Sequence, residues 1–91
     1  EFQSMTRDIS VVLGEQKTFD DVVVALRTGL VTHVQLVDIY RGGVIGDGKK
    51  SVTLSLTLQA ADRTLTGDEA QQALDAAGKV LETQFGGILR T

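Results

Sequence analysis

Ten successive positions, Ser51 to Ala60, alternate without a break. Ser51, Thr53, Ser55, Thr57 and Gln59 are polar, while Val52, Leu54, Leu56, Leu58 and Ala60 are apolar. Side chains along a strand point to opposite faces at each step, so this pattern fits a strand with one buried and one polar face. A helix repeats its apolar positions every three or four residues and does not fit. A chain that contains this segment needs a sheet covered on one side only. With 91 residues it has room for one domain and a modest core.

The remaining elements are read by the same reasoning. Residues 7–13 are rich in β-branched side chains and stop at Gly14, with Ile9, Val11 and Leu13 on one face and Asp8, Ser10 and Val12 on the other. Thr18 can cap a helix whose first turn holds Asp20 and Asp21, and Phe19, Val22, Val23 and Leu26 form its buried stripe. Gly29 is expected as its left-handed cap. Val31–Arg41 is a second strand by composition, but neither of its alternating sets is cleanly apolar, which predicts a bulge or a switch of face midway. Near its end, Val37 and Ile39 are expected inside, with Asp38 and Tyr40 outside. Thr66 with Glu69 three residues later is a capping box, and Ala70, Ala73, Leu74, Ala77, Val80, Leu81 and Phe85 continue as a helical stripe. Gly86 and Gly87 end that helix, leaving Ile88 and Leu89 for a short edge strand. The order is βαββαβ, the ferredoxin-like split βαβ arrangement of class α+β, with two helices on one face of a four-stranded antiparallel sheet. Residues 7–91 are read as the domain, and residues 1–6 as native lead-in or the remnant of a cleavable tag.

Composition removes several function classes. Without Cys there are no disulfides, thiolate metal sites or Cys nucleophiles, and His33, the only His, cannot build a His-rich metal site. No catalytic or metal-binding residue is assigned. No apolar run approaches the ~20 residues of a membrane-spanning helix. No secretory-type segment opens the chain, and a cytoplasmic location is expected. Gly43-x-x-x-x-Gly48-Lys49 matches part of a phosphate-binding loop, but Lys50 stands where Ser or Thr would hold magnesium. The loop also leads into a strand rather than a helix, so the segment is a hairpin connection. The net charge of −3 opposes strong autonomous nucleic-acid binding, yet it is uneven. Between residues 36 and 60, Arg41, Lys49 and Lys50 outnumber Asp38 and Asp47, while the acid collects on the second helix. Tyr40, the aromatic expected to point outward, could stack a base there.

Several segments then resemble a known family: Arg7-Asp8-Ile9-Ser10, Phe19-Asp20-Asp21-Val22, Leu36-Val37-Asp38-Ile39-Tyr40-Arg41-Gly42, Gly48-Lys49-Lys50-Ser51, Asp62-Arg63-Thr64-Leu65-Thr66 and Phe85-Gly86. In order and spacing they are similar to the C-terminal ferredoxin-fold anticodon-binding domain of the bacterial phenylalanyl-tRNA synthetase β subunit. The likeness runs from Arg7 to Arg90. Gln3 departs from it, since such domains commonly carry Pro after an aromatic residue there. The resemblance implies a non-catalytic module that holds the anticodon stem-loop of phenylalanine tRNA on its open sheet. The α subunit and the rest of the β subunit would be its partners in a heterotetramer, and ATP and magnesium would serve the parent enzyme elsewhere. Carried over by motif position, Asp38, Tyr40 and Ser51 would contact bases. The strand pairing adds Thr53 to that set. Arg41, Lys49, Lys50 and Arg63 are the candidates for phosphate contact, which predicts a salt slope of about −2 to −3. A local ion pair or turn role is an equal reading for Arg63. The alternative function is a ferredoxin-like regulatory or assembly domain whose open sheet binds a protein or a small metabolite.

Overall fold

Residues 3–90 are described by a computed structural model of the chain; the lead-in positions Glu1 and Phe2, and Thr91, lie outside the described residues. The elements run β1 (Met5–Gly14), α1 (Phe19–Leu26), β2 (Val31–Arg41), β3 (Lys49–Leu58), α2 (Gly67–Phe85) and β4 (Ile88–Leu89), with a short 3-10 turn at Gly43–Ile45 before β3. The sheet order is β2-β3-β1-β4, and every neighbouring pair is antiparallel. This is the expected ferredoxin-like α+β arrangement.

Strand β3 is central, pairing along its whole length with β1 and β2. Its even-numbered residues Val52, Leu54, Leu56 and Leu58 are all buried, and they meet Ile9, Val11 and Leu13 of β1 and Val22, Leu26, Ala70, Ala77 and Leu81 of the helices. The helices therefore cover one parity of the sheet, and burial of that apolar area is what drives the chain together. Helix α1 is capped by Thr18, whose hydroxyl accepts from the Asp21 amide at 3.2 Å. Helix α2 starts on the predicted capping box: Thr66 Oγ1 accepts from the Glu69 amide at 3.2 Å, and Glu69 Oε1 accepts from the Thr66 amide at 3.0 Å. It stops at Gly86, whose left-handed backbone (φ 64°) returns an amide to Leu81.

Several details correct or sharpen the sequence reading, among them the end of β3, which falls at Leu58 rather than Ala60. Strand β1 begins at Met5, paired with Leu58, so Met5 and Thr6 belong to the sheet rather than to the lead-in. Helix α1 is capped at Arg27 instead of Gly29, although Gly29 is left-handed (φ 58°) in the turn just beyond. The register of β2 against β3 shifts twice, at Thr32 and at Val37, which locates the expected bulge. Val37 is the extra residue of the second shift and is 56% exposed, while Ile39, opposite Val52 on the outer strand, keeps the covered side yet is 37% exposed, so neither is buried as expected. A bulged residue leaves the alternation, so its apolar character no longer predicts its side.

Candidate functional site

The bulge at Val37 decides what the open face contains. Before it, His33 and Gln35 lie opposite Thr57 and Ser55; after it, Asp38 and Tyr40 lie opposite Thr53 and Ser51. All four β2 residues therefore share one face, although an unbroken strand would place His33 and Gln35 on the side away from Asp38 and Tyr40. The sheet register then lays out two transverse rows. One runs Tyr40, Ser51, Val12, Ile88 across β2, β3, β1 and β4. The next runs Asp38, Thr53, Ser10, and just past the end of β4 it is continued by Arg90, whose amide donates to the Ser10 carbonyl at 2.9 Å. Rows in a sheet are spaced closely enough for facing side chains to touch.

The four residues expected to contact bases thus come together, two per row. Tyr40 is 53% exposed and Asp38 is exposed, so a ring and an acceptor-only carboxylate stand side by side at the surface. Gly43 passes beside the tyrosine: a β-carbon there would sit 3.5 Å from the Tyr40 hydroxyl, and the residue has φ 56°. Thr53 is half-buried, and its Oγ1 shares a hydrogen bond of 2.9 Å with Ser10 Oγ. Ser51 is only 5% exposed, and its Oγ accepts from Arg90 Nη1 at 2.8 Å. Tyr40 and Asp38 are offered to solvent, while Thr53 and Ser51 are already engaged.

The four expected phosphate contacts do not stay together. Lys49 shares the parity of Ser51 and is exposed on the open face. Lys50 has the parity of Val52 and turns to the helix-covered side, where it is 9% exposed and donates to the carbonyls of Glu15 (3.3 Å) and Lys17 (2.6 Å). Arg41, its partner on β2, lies on the same side and donates to Glu15 Oε1 at 2.8 Å. These two cations brace the β1–α1 turn against the hairpin end of the sheet. Arg63 lies past the opposite end of β3, about 30 Å of strand away from the hairpin. There it donates through Nε to Glu69 Oε2 at 3.1 Å and through Nη1 to Asp62 Oδ1 at 3.0 Å, with a further contact from Nη2 to Glu69. The hydrogen bond to Arg63, and after it that from the Thr66 amide, holds the Glu69 carboxyl below the usual carboxylate range; the same partnership raises Arg63. Lys50 is thus engaged by backbone carbonyls, and Arg63 makes the local ion pairs that were the equal reading for it.

Arg90 was missed by sequence reasoning. The available signal was its parity: it comes two residues after Ile88, directly beyond the edge strand, which places it on the open side. Among the described residues, no cluster of three or more His, Asp or Glu is arranged to hold a metal, and no helix is long and apolar enough to cross a membrane. His33 is exposed, its Nδ1 3.3 Å from Thr32 Oγ1.

The chain matches relatives of known kind. A family model described as the ferredoxin-fold anticodon binding domain covers residues 1–90. The chain is 39% identical over 92 residues to the phenylalanine–tRNA ligase beta subunit of Corynebacterium jeikeium, covering 98% of this chain. It is 39% identical over 93 residues to that of Mycobacterium leprae, and 38% over 88 residues to that of Thermobifida fusca, covering 99% and 93% of this chain. In each case it spans 11% of the relative's length.

Proposed function

The chain belongs to the ferredoxin-fold anticodon-binding domain family, and from that premise we propose that its open sheet face holds the anticodon stem-loop of a phenylalanine tRNA. The observation that carries this reading is the pair of adjacent rungs, Tyr40 against Ser51 and Asp38 against Thr53, on the face opposite the one that both helices cover among the described residues. Sequence-specific RNA recognition uses unstacked loop bases, which stack on aromatic rings and present their edges to polar groups. Tyr40 supplies the ring. Asp38 accepts only, so it pairs with an amino or imino group of a base. Thr53 is already shared with Ser10 and keeps the carboxylate's surroundings polar.

The chain is then one part of a phenylalanine–tRNA ligase and does no chemistry alone. The relatives are named as β subunits, of which the chain spans 11%. Aminoacylation, with its ATP and magnesium, belongs to other parts of such an enzyme; the rest of the β subunit and an α subunit are the protein partners, in the cytoplasm. This division suits the surface charge. With the exposed cations of the face reduced to Lys49 and Arg90, salt dependence should be shallow, with a slope of about −1.4. A module of this kind inspects bases while the larger enzyme supplies most of the grip.

The test is a titration of the 91-residue chain with a synthetic stem-loop carrying a phenylalanine anticodon, and with the same stem closed by an unrelated loop. Tighter binding to the first, with amide shift changes clustered on Asp38, Tyr40, Ser51 and Thr53, is the expected result. Equal binding to both hairpins, or to neither, would overturn the proposal. Binding of a protein partner on the same residues without RNA binding would favour the assembly-domain alternative.

A further inference from the structure

The expected role of Ser51 was direct contact with a base, but its geometry assigns it differently. Ser51 is 5% exposed and lies in its row between Tyr40 and Val12. Its oxygen accepts from Arg90 Nη1 at 2.8 Å. Arg90 starts on the edge strand β4 side of the sheet, opposite Ser10, and its side chain reaches back over β1 to β3. A ligand that approaches Ser51 from solvent therefore meets the guanidinium first.

That guanidinium has spare capacity. Arginine carries five N–H donors, and a serine hydroxyl takes one of them without neutralising the charge. The ion pairs among the described residues join Arg41 to Glu15 and Arg63 to Asp62 and Glu69, and Arg90 is in none of them. Its anchor, Ser51, pairs directly with Tyr40, one strand spacing or about 4.8 Å across the sheet. A base stacked on Tyr40 brings a phosphodiester within a nucleotide's length of the charge. Arginine's planar fork matches the two free oxygens of that group.

We infer that Arg90 is a phosphate-contacting residue of the open face and that Ser51 is its positioning residue, holding the guanidinium beside Tyr40. This rests on the anticodon-binding proposal and adds to it a cation that the sequence pattern did not supply. In the row of Asp38, Thr53 and Ser10, Arg90 is the member that carries positive charge. With Lys50 and Arg41 turned to the other face, it takes over the place those two were expected to fill.

The experiment is a set of titrations with the phenylalanine-anticodon stem-loop between about 50 and 200 mM salt, using wild type, Arg90→Gln, Arg90→Lys, Ser51→Ala and the Ser51→Ala/Arg90→Gln double variant. Arg90→Gln should weaken binding and reduce the salt slope by about 0.7. Arg90→Lys should keep the slope while losing affinity, because the charge remains and the fork does not. Ser51→Ala should cost about two- to tenfold with the slope kept, and nothing further in the Arg90→Gln background. Lys79→Ala, on the exposed side of α2, serves as a variant with unchanged binding. Amide spectra report whether each variant keeps the fold; if Arg90→Gln does not, Arg90→Lys and Ser51→Ala still carry the test. An unchanged slope in Arg90→Gln, a lost slope in Arg90→Lys, or additive losses in the double variant would overturn the inference and leave the anticodon reading standing. Failure of the wild-type chain to bind the stem-loop would overturn both.

Discussion

The two faces of strand β3 are made by one segment of backbone, yet they do different work. Its even positions carry Val52, Leu54, Leu56 and Leu58, all buried under the helices, and its odd positions carry Ser51, Thr53, Ser55 and Thr57 on the open side. The buried face supplies cohesion, which is nondirectional and scales with apolar area. The open face supplies donors, acceptors and a ring at fixed spacings, which matter only to a ligand. Because the side chains point apart, a substitution on one parity should leave the other's property nearly untouched. Lys50 is the instructive case: it is charged, yet it has the buried parity, and the fold accommodates it by giving its ammonium two backbone carbonyls. A charged side chain turned inward is tolerable only when it is hydrogen-bonded.

The separation can be broken most forcefully at the core. Leu54→Ala removes a fully buried side chain at the centre of the sheet. It should cost about 2–5 kcal/mol of stability, measured by urea denaturation, while the fraction that stays folded binds the stem-loop as before. A loss of affinity in that folded fraction would mean the two faces are coupled. The opposite experiment is Tyr40→Ala, which should lower stem-loop affinity by about 1–3 kcal/mol with the denaturation midpoint unchanged. Thr66→Ala removes the cap of α2 and should cost about 1 kcal/mol of stability with RNA affinity preserved, since the helix start lies on the covered side. The smallest effect expected is at Glu69. Its folded pKa lies below the ordinary value, so the stability it contributes is present above that value and is lost as pH falls through and below about 4.3. Glu69→Gln should flatten that part of the stability–pH curve, tracked by thermal melts; an identical acid limb in both proteins would show that the Arg63 partnership contributes nothing.

What was legible in the chain was periodic or local. The Thr66–Glu69 box, the Thr18 cap and the glycines after Phe85 each act within a turn and stand where they were expected, and the ten-residue alternation falls in β3 up to Leu58, with Gln59 and Ala60 just beyond the strand. The mixed pattern of β2 announced a bulge without saying which residue it would displace. Val37 was therefore placed inside by its hydrophobicity, when the register shift turns it out. Lys50 is a different kind of miss. Its parity with Val52 was available, but its charge and its place beside a glycine hairpin outweighed it. Arg63 had a readable local partner in Asp62, and Glu69 lies only six residues on.

The amino-acid pattern by itself determined that this chain forms a half-covered sheet with two helices and one polar face, because burial of alternate and three-to-four-spaced apolar residues admits few other solutions. It also placed Asp38, Tyr40, Ser51 and Thr53 on that face, since they sit on neighbouring strands joined by a hairpin. Tertiary structure decided which partners the nearby cations take, and so which of them accompany those residues. The pairing of β4 with β1 carries Arg90 over to Ser51, and the β1–α1 turn captures Arg41 and Lys50. Those partners are 26 to 39 residues apart in sequence. No local periodicity links residues at that separation; only the closed sheet brings them within hydrogen-bond distance.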